Sequence, residues 1–597
     1  MQGRKIKTRS DVPEECKWGV NEVYKDTKSW ESDFDILKDK SSELSLYNGK
    51  LGDSKELLKY FKLDEKLSRL AEKLYIYAHL RSDEDASNAE FQALKDKIDV
   101  FMAKLKGYSA FFVPEILSLG DKKIEKEINE EKDLELYRFY LKNILRQKAH
   151  FLSKEEEKIM ASVSECLDAP GNIFGMLAYA DMTFPVIKDE NGNDVEITEA
   201  NYMEFIRSKD RKVREEAFKA LFSTYYKYRN TLSVSLTSSM KNFIFQSRIR
   251  KYNSSIEFSL EPNNISTKVF YNTIDTIDKN LDKLHRYVKL KKKYLGINEM
   301  HMYDLYAQLV DKPKDKIEFK DAVDIVKNAL KPLGKEYVDL FQKGIDERWV
   351  DIYPNKGKKS GAYSWGCYDT KPYVLLNYNY ELSDVSTLAH EMGHSIHSYY
   401  SKTNQPYIYN EYTLFCAEVA STTNENLLIN YLINNEKDKN KKLFLVNQQL
   451  EQIRTTVFRQ VMFAEFEKIA HETLEKGNAL TSEDLCRIYH DLNVKYFGDD
   501  IIVDKEIDME WARIPHFYRD FYVYQYATGY SAANSFANSI ISNGSLAVSD
   551  YINKFLKAGG SKYPLDILKD AGVDMTTPKP IEDTMKTFSH LLDILDE

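Results

Sequence analysis

Most of the chain carries the hydrophobic periodicity of amphipathic helices. Between residues 30 and 165, apolar side chains recur every three or four positions, with Lys, Glu and Asp between them. Two runs show this pattern: Leu57, Tyr60, Phe61, Leu63, Leu67 and Leu70, then Phe91, Leu94, Ile98, Phe101, Met102 and Leu105. The pattern resumes at residues 199–340 and again after residue 383. It predicts a mainly α protein.

Two short regions break the helical pattern. Residues 184–198, FPVIKDENGNDVEIT, place two β-prone runs around Asn191 and Gly192, a dipeptide typical of hairpin turns. Residues 350–380 contain three aromatic and β-branched runs separated by Pro and Gly. The sequence therefore predicts a hairpin in the first region and a small β-sheet in the second.

Length and composition fit a large globular protein. The chain has 597 residues, 43% hydrophobic and 30% charged, so it can bury a sizeable core and is not predicted to be disordered. We place the division between an N-terminal helical lobe, residues 1–183, and a second region, residues 184–597, at the predicted hairpin. The net charge of −9 argues against a surface for nucleic acid or for anionic membranes.

The sequence predicts a cytoplasmic protein with free thiols. Residues 1–16, MQGRKIKTRSDVPEEC, begin with basic side chains but lack the apolar core of a signal peptide. No apolar stretch is long enough to span a membrane. The five Cys are widely spaced and form no CxxC pair, which excludes a disulfide scaffold.

The candidate chemistry lies in residues 383–400, SDVSTLAHEMGHSIHSYY. The chain has only 11 His, yet this segment contains His390, His394 and His397. His390, Glu391 and His394 form an HExxH motif, and residues four apart on a helix can both reach one metal ion. We predict a metal-binding helix over residues 384–402, capped by Ser383 or Asp384. Its apolar face lies opposite the two motif His and consists of Val385, Leu388, Met392, Ile396 and Tyr399.

Zinc is the expected metal, with one ion per chain, because catalytic zinc sites combine three protein ligands with an open position. His397 lies roughly 10 Å from His390 along the helix axis, so we expect it to pack or to form a hydrogen bond. The metzincin pattern requires Gly and His at the positions that hold His397 and Tyr400, so that class is excluded.

A carboxylate on a second helix, within residues 410–430, is the predicted third ligand. Glu411, Glu418 and Glu425 lie seven residues apart and therefore share one stripe. Spacing favours Glu418 because its neighbours are small enough for close helix approach: Ala417, Ala420 and Ser421. Glu425 is either a carboxylate that holds a ligand imidazole or a solvated charge.

These motifs resemble the thimet-oligopeptidase-like zinc metallopeptidases, and most closely the oligoendopeptidase F branch. The matching segments cover nearly the whole chain: HEMGHSIHSYY, AEVASTTNE, SGAYSWGCYDTKPYVLLNY, RIPHFYRDFYVYQYATGYSAA, DMTFPVI and PEECKWGVNEVY. The resemblance implies two helical lobes that enclose a deep substrate channel, with zinc on the channel floor beside the small sheet. It also implies Glu418 as the third zinc ligand.

The expected function is a zinc endopeptidase that hydrolyses short, unstructured oligopeptides, because a folded protein cannot enter such a channel. Glu391 adjoins His390 and is not needed as a ligand, so we expect it to act as the general base. By resemblance, His516 binds the substrate, and Tyr522 and Tyr526 contact it during catalysis. These two Tyr and Tyr530 are predicted to share a helical face, for which core packing is the alternative.

A strand-like run that contains Ala362, Ser364 and Trp365 is the predicted edge on which an extended peptide docks through its main chain. An exopeptidase is the alternative within the same enzyme class. It requires a cation for the terminal carboxylate, for which Arg513 and Arg519 are the nearest options. A non-catalytic peptide-binding protein is a further alternative, which the intact Glu391 argues against.

Overall fold

The protein is mainly α-helical with two small sheets, which confirms the predicted fold class. A computed structural model describes residues 7–313 and 315–597. The helices in these residues are α1 Thr27–Lys40, α2 Ser54–Glu84, α3 Ala89–Ser109, α4 Phe112–Glu130, α5 Arg138–Arg146, α6 Lys154–Met176, α7 Tyr202–Phe205, α8 Arg211–Lys227, α9 Arg229–Ile249, α10 Ser255–Leu260, α11 Thr267–Asp278, α12 Leu281–Leu295, α13 Phe319–Leu330, α14 Lys335–Asp346, α15 Leu382–Asn404, α16 Leu414–Asn435, α17 Lys439–Ile453, α18 Arg459–Glu475, α19 Ser482–Phe497, α20 Tyr524–Asn543, α21 Ser545–Asp550, α22 Pro564–Asp570 and α23 Lys579–Asp596. None of these helices is long and apolar enough to cross a membrane.

The chain forms two compact units, each assembled from three segments. Unit 1 comprises Met1–Ala149, Asp315–Tyr431 and Phe536–Val573, and unit 2 comprises His150–Lys314, Leu432–Ser535 and Asp574–Glu597. The division predicted at residue 184 coincides with neither unit, because the chain passes from one unit to the other several times. The substrate channel stays a prediction.

The core of unit 1 consists mainly of aromatic and aliphatic side chains that its helices contribute. Trp30 stacks on Phe34 with ring centroids 5.2 Å apart, and its indole N–H donates to the carbonyl of Leu74 at 2.9 Å. The apolar runs that predicted helices lie in α2 and α3 and join this cluster. The cluster also includes Tyr373 and Leu375, so the helical core is continuous with the small sheet.

The small sheet of unit 1 lies within the predicted residues 350–380 and has three strands, β3 (Val350–Asp351), β4 (Tyr363–Trp365) and β5 (Tyr373–Leu375), in the order β3-β5-β4. Strand β5, Tyr373–Leu375, pairs in parallel with β3, Val350–Asp351, and antiparallel with β4, Tyr363–Trp365. Within the described residues, strand β4 therefore pairs on one side only and has one free edge. Helix α15, Leu382–Asn404, contains the HExxH motif and packs against β4 and β5.

The start of α15 differs from the prediction. The helix is capped at Glu381 and not at Ser383 or Asp384. The carboxylate of Asp384 instead accepts hydrogen bonds from the backbone N–H groups of Asn379 at 2.8 Å and Glu381 at 2.9 Å. An acidic side chain in the first turn satisfies donors that lack a helical partner, so it marks the helix start from inside.

Unit 2 contains the predicted hairpin. Strands β1, Val186–Lys188, and β2, Asp194–Glu196, pair antiparallel. Gly192 has a φ of 81°, a conformation that glycine adopts without strain. The connection spans residues 189–193, because Asp189 N–H donates to the carbonyl of Asn193.

Candidate metal centre and active site

Helices α15 and α16 cross closely enough to bring the predicted ligands together. A Cβ on Gly393 would lie 2.6 Å from Ser421 Cα, so only glycine fits where the backbones meet. The side-chain amide of Asn424 donates to the carbonyl of Ala389 at 3.1 Å, and the Tyr337 hydroxyl donates to Asn424 Oδ1 at 2.9 Å. A buried amide thus fixes the crossing from α16 to α15.

The two motif His and Glu418 form a triangle of ligand atoms. His390 Nε2 lies 3.2 Å from His394 Nε2, and Glu418 Oε2 lies 3.4 Å from the first and 3.6 Å from the second. Four tetrahedral ligands at about 2.0–2.1 Å from zinc are separated by about 3.3–3.4 Å. The donor set and the spacing therefore both fit a zinc ion with an open fourth position.

The electrostatics of this group favour a cation. The hydrogen bond from His394 and the charge of His390 lower the pKa of Glu418 to about 2, so its carboxylate is ionised at neutral pH. Burial acts against the charged form of His390, but the hydrogen bond with Glu425 and the nearby carboxylates raise its pKa to about 9. Acidic groups thus outnumber the two imidazoles around the ligand atoms.

Glu425 and Glu391 flank the triangle. Glu425 Oε1 lies 3.4 Å from His390 Nδ1, the ring nitrogen opposite the one in the triangle. A carboxylate in this position can hold the imidazole, which is the first of the two predicted roles and stays a prediction. Glu391 is 7% exposed, and burial raises its pKa while the neighbouring His390 and His394 act against that effect.

His397 lies outside the triangle, among aromatic side chains. It is fully buried and stacks on Tyr412, with ring centroids 3.7 Å apart and an interplanar angle of 5°. The Phe555 ring also packs against His397, with ring centroids 4.9 Å apart. Burial lowers the pKa of His397 to about 3, so the imidazole stays neutral and packs as an aromatic ring.

The predicted docking edge lies on β4. Ala362 directly precedes the strand, and both it and Trp365 are half-buried. Ser364 Oγ lies 2.8 Å from Ser395 Oγ, which ties the strand to α15. Trp365 packs edge-on against Tyr75 and His79, with ring centroids 5.8 Å and 5.6 Å away.

In unit 2, His516 forms a compact aromatic group with Tyr522 and Tyr526. The Tyr526 hydroxyl lies 3.2 Å from His516 Nε2, and the Tyr522 ring is near-parallel to the imidazole at a centroid distance of 6.0 Å. Burial, with Arg519 and Arg459 nearby, lowers the pKa of His516, so the ring is neutral at neutral pH.

The placement of Tyr522 differs from the predicted helical face, whereas Tyr526 and Tyr530 share one. Helix α20 begins at Tyr524, so Tyr522 precedes it and does not share a helical face with Tyr526. Tyr530 lies on α20, but it is 2% exposed and its hydroxyl accepts a hydrogen bond from Gln449 at 2.5 Å. This placement favours packing over substrate contact for Tyr530.

The two Arg considered for a terminal carboxylate occupy different surroundings. Arg513 pairs with Glu199 through two guanidinium nitrogens. Arg519 is exposed, and its guanidinium lies 5.7 Å from the centre of the Tyr522 ring.

Gly393 and Asn424 are site residues that the sequence interpretation did not single out. Gly393 lies inside the HExxH motif, where the pattern leaves its identity open. Asn424 is a fully buried amide that follows a stripe of small residues on α16. A polar side chain beside such a stripe is the only sequence signal for its role.

Comparison with known proteins gives consistent matches. The model of peptidase family M3 matches residues 205–587, and that of oligopeptidase F matches residues 115–184. Oligopeptidase PepF of Bacillus subtilis is 45% identical over 597 residues, which covers 100% of this chain and 89% of the relative.

Solved structures agree with the sequence matches. A crystal structure from Chlamydophila abortus superposes with a TM-score of 0.94 at 37% identity, covering 99% of both chains. Oligoendopeptidase-F from Enterococcus faecium gives a TM-score of 0.74 at 37% identity, covering 95% of this chain and 99% of that one. The similarity therefore extends over the full chain.

Proposed function

Because the chain belongs to peptidase family M3 and is a peptidase of oligopeptides, we propose that it is a zinc-dependent endopeptidase. The observation that carries the proposal is the triangle of His390 Nε2, His394 Nε2 and Glu418 Oε2, with sides of 3.2–3.6 Å. We expect one ion per chain, short unstructured peptides as substrates and a cytoplasmic location.

Each residue of the metal centre has a separate task in this proposal. His390, His394 and Glu418 hold the ion, which when bound supplies a Lewis acid that polarises the scissile carbonyl and activates water. Glu425 accepts the Nδ1 proton of His390 and so orients the imidazole with Nε2 toward the ion. The Asn424 amide keeps α15 and α16 at the separation that the ligands require.

Glu391 is the proposed general base. Its carboxylate takes a proton from the attacking water and returns a proton to the leaving amine. Burial of Glu391 raises its pKa, which brings it closer to the pH at which it must both accept and release that proton. The side chain is not needed as a ligand, so it is available for this transfer.

The substrate is proposed to bind through its backbone. The free edge of β4 can pair with an extended peptide, with Ala362, Ser364 and Trp365 along that edge. Main-chain hydrogen bonds read little of the side chains, which accounts for broad sequence tolerance. His516, Tyr522 and Tyr526 are proposed to contact the substrate and to donate to the carbonyl oxygen as negative charge develops on it.

An exopeptidase is the second candidate. The exposed Arg519 beside Tyr522 favours it, because a free guanidinium can bind a terminal carboxylate. Arg513 supports it less, because Glu199 already occupies its guanidinium.

Mass spectrometry of products from a peptide mixture of graded length tests the proposal. Each peptide is supplied with a free and with an amidated C-terminus. The endopeptidase proposal predicts internal cleavage of both forms at similar rates. Loss of cleavage on amidation would contradict it and favour the exopeptidase.

A further inference from the structure

A buried carboxyl on α18 contacts the turn between His516 and Tyr522. Glu467 is 0% exposed, and its Oε1 accepts a hydrogen bond from the backbone N–H of Phe521 at 3.0 Å. Burial, with Asp520 nearby, raises the pKa of Glu467 well above its usual value. Placing a carboxyl in such surroundings is costly, so its contact with the turn requires an explanation.

His471 lies one helical turn after Glu467 and contacts the same segment. The imidazole is 1% exposed. Its Nδ1 lies 3.2 Å from Ser255 Oγ, and its Nε2 lies 3.0 Å from Asp520 Oδ1. Glu467 and His471, one helical turn apart on α18, therefore contact two adjacent residues. Glu467 contacts Phe521, and His471 contacts Asp520.

Asp520 and Phe521 are the central residues of a strained β-turn, residues 519–522, which we call the 519–522 turn. Tyr522 N–H donates to the carbonyl of Arg519 at 3.1 Å, and Phe521 at the third position has a φ of 58°. Gly or Asn usually occupies a turn position with positive φ, because a larger side chain is strained there. Such strain persists only where surrounding contacts impose it.

Those contacts also come from the Phe521 ring. Its centroid lies 4.5 Å from the His471 ring and 5.6 Å from the Phe270 ring. Ser259 Oγ donates to the carbonyl of Asp520 at 3.2 Å. The backbone hydrogen bond to Glu467 and the packing of the ring thus hold the turn from two sides.

The turn directly connects the proposed substrate-contacting residues. Arg519 N–H donates to the carbonyl of His516 at 2.9 Å, so His516 is linked to the turn by a further backbone hydrogen bond. Tyr522 is its last residue. A change at Phe521 would therefore rotate Tyr522 against His516 and Tyr526.

We propose that Glu467 and His471 are positioning residues, which hold the 519–522 turn so that His516 and Tyr522 keep their mutual orientation for catalysis. The proposal rests on the proposed function of His516 and Tyr522. Neither Glu467 nor His471 needs to touch the substrate in it. Their effect passes through the backbone of Phe521.

Paired substitutions of Glu467 test the proposal. Glu467→Gln keeps an oxygen acceptor for the Phe521 N–H and nearly the same side-chain shape, so we expect kcat/KM within about twofold of wild type. Glu467→Leu removes the acceptor, and we expect kcat to fall by about 30-fold or more with little change in KM. Zinc content is expected to stay at the wild-type value in both variants.

The matched control lies on the same face of α18. Glu475 accepts from the Ser255 N–H at 2.6 Å, and in the part of the chain that the structure describes its side chain has no contact with the 519–522 turn. Glu475→Leu should therefore lower thermal stability without lowering kcat at a temperature at which it is folded. If Glu467→Leu does not fold, His471→Phe takes its place, because a ring of similar shape removes only the polar contacts. Wild-type kcat in Glu467→Leu, or in His471→Phe where Glu467→Leu does not fold, would overturn the proposal.

A double-mutant cycle shows whether the effect passes through Tyr522. We expect Glu467→Leu with Tyr522→Phe to be about as active as the more impaired single variant, because the two changes act on one contact. Additive losses would overturn the positioning role. Full activity of both Tyr522→Phe and His516→Ala would refute the proposed function of those residues, and the positioning role with it. If Tyr522→Phe and His516→Ala are impaired but Glu467→Leu is not, only the positioning role is refuted.

Discussion

Replacing Gly393 with Ala tests the helix crossing on which the proposed metal centre depends. A Cβ at this position would lie 2.6 Å from Ser421 Cα and 3.1 Å from the carbonyl oxygen of Ala420. Both are backbone atoms of α16, so a side-chain rotation cannot relieve the contact. Because carbon atoms pack at about 3.6 Å, α16 must move away by about 1 Å.

That displacement is large for a metal site. Glu418 lies on α16, and zinc–ligand distances tolerate deviations of only about 0.2 Å. Overpacking of this kind costs about 1–3 kcal/mol. If zinc binding must bring α15 and α16 back to their original separation, the same free energy weakens zinc binding by about 5- to 150-fold.

Competition with a chromophoric chelator measures the zinc affinity of the variant. Gly107→Ala is the control, because Gly107 also lies in a helix, α3, and a Cβ there meets no atom within 4 Å. We expect Gly107→Ala to bind zinc as wild type does, and Gly393→Ala to bind it less tightly while still folding. An unchanged zinc affinity in Gly393→Ala would refute the argument that close backbone approach sets the ligand spacing.

Three further predictions follow from the contacts of unit 1. Glu425→Gln should weaken zinc binding by about 10- to 100-fold in the same competition assay, and wild-type affinity would exclude a role in orienting His390. The pKa of His390 is raised to about 9, so its imidazole is protonated below that pH and zinc must displace the proton to bind. Zinc affinity should therefore rise by about tenfold per pH unit from pH 6 to 8, and a flat profile would contradict this. Asp351 is fully buried and pairs with Lys358 Nζ at 2.7 Å and with Arg9, so Asp351→Asn should lower the free energy of unfolding by about 3–5 kcal/mol in urea, whereas a loss below about 1 kcal/mol would show that the pair contributes little.

The local geometry of the metal centre could be predicted because it depends on short sequence spacings. His390 and His394 lie on one helical face whatever the rest of the fold, and the small residues around Glu418 already indicated a close helix. The predicted N-cap of α15 lay two or three residues too late in the chain, because Asp384 accepts its backbone hydrogen bonds from within the first turn. The exact limits of a helix depend on such side-chain contacts.

Features that depend on distant packing were not visible in the sequence. Tyr522 was placed on a helix because its spacing to Tyr526 is helical, but the 519–522 turn ends just before α20 begins. Phe521 carries no turn signal, and the side chains that contact its backbone N–H and its ring, Glu467 and His471, lie about fifty residues earlier in the chain. Likewise, periodicity predicts helices but does not say which unit each helix joins.

The zinc content and turnover of Glu391→Gln separate the proposed zinc ligands from the proposed general base. We expect the variant to retain one zinc per chain while kcat/KM for a short peptide falls by about 10²- to 10⁴-fold, because the ligands remain and the general base is lost. Glu418→Ala serves as the counterpart and should lose zinc. Wild-type turnover by Glu391→Gln, or loss of its zinc, would contradict the proposed separation of ligands and base.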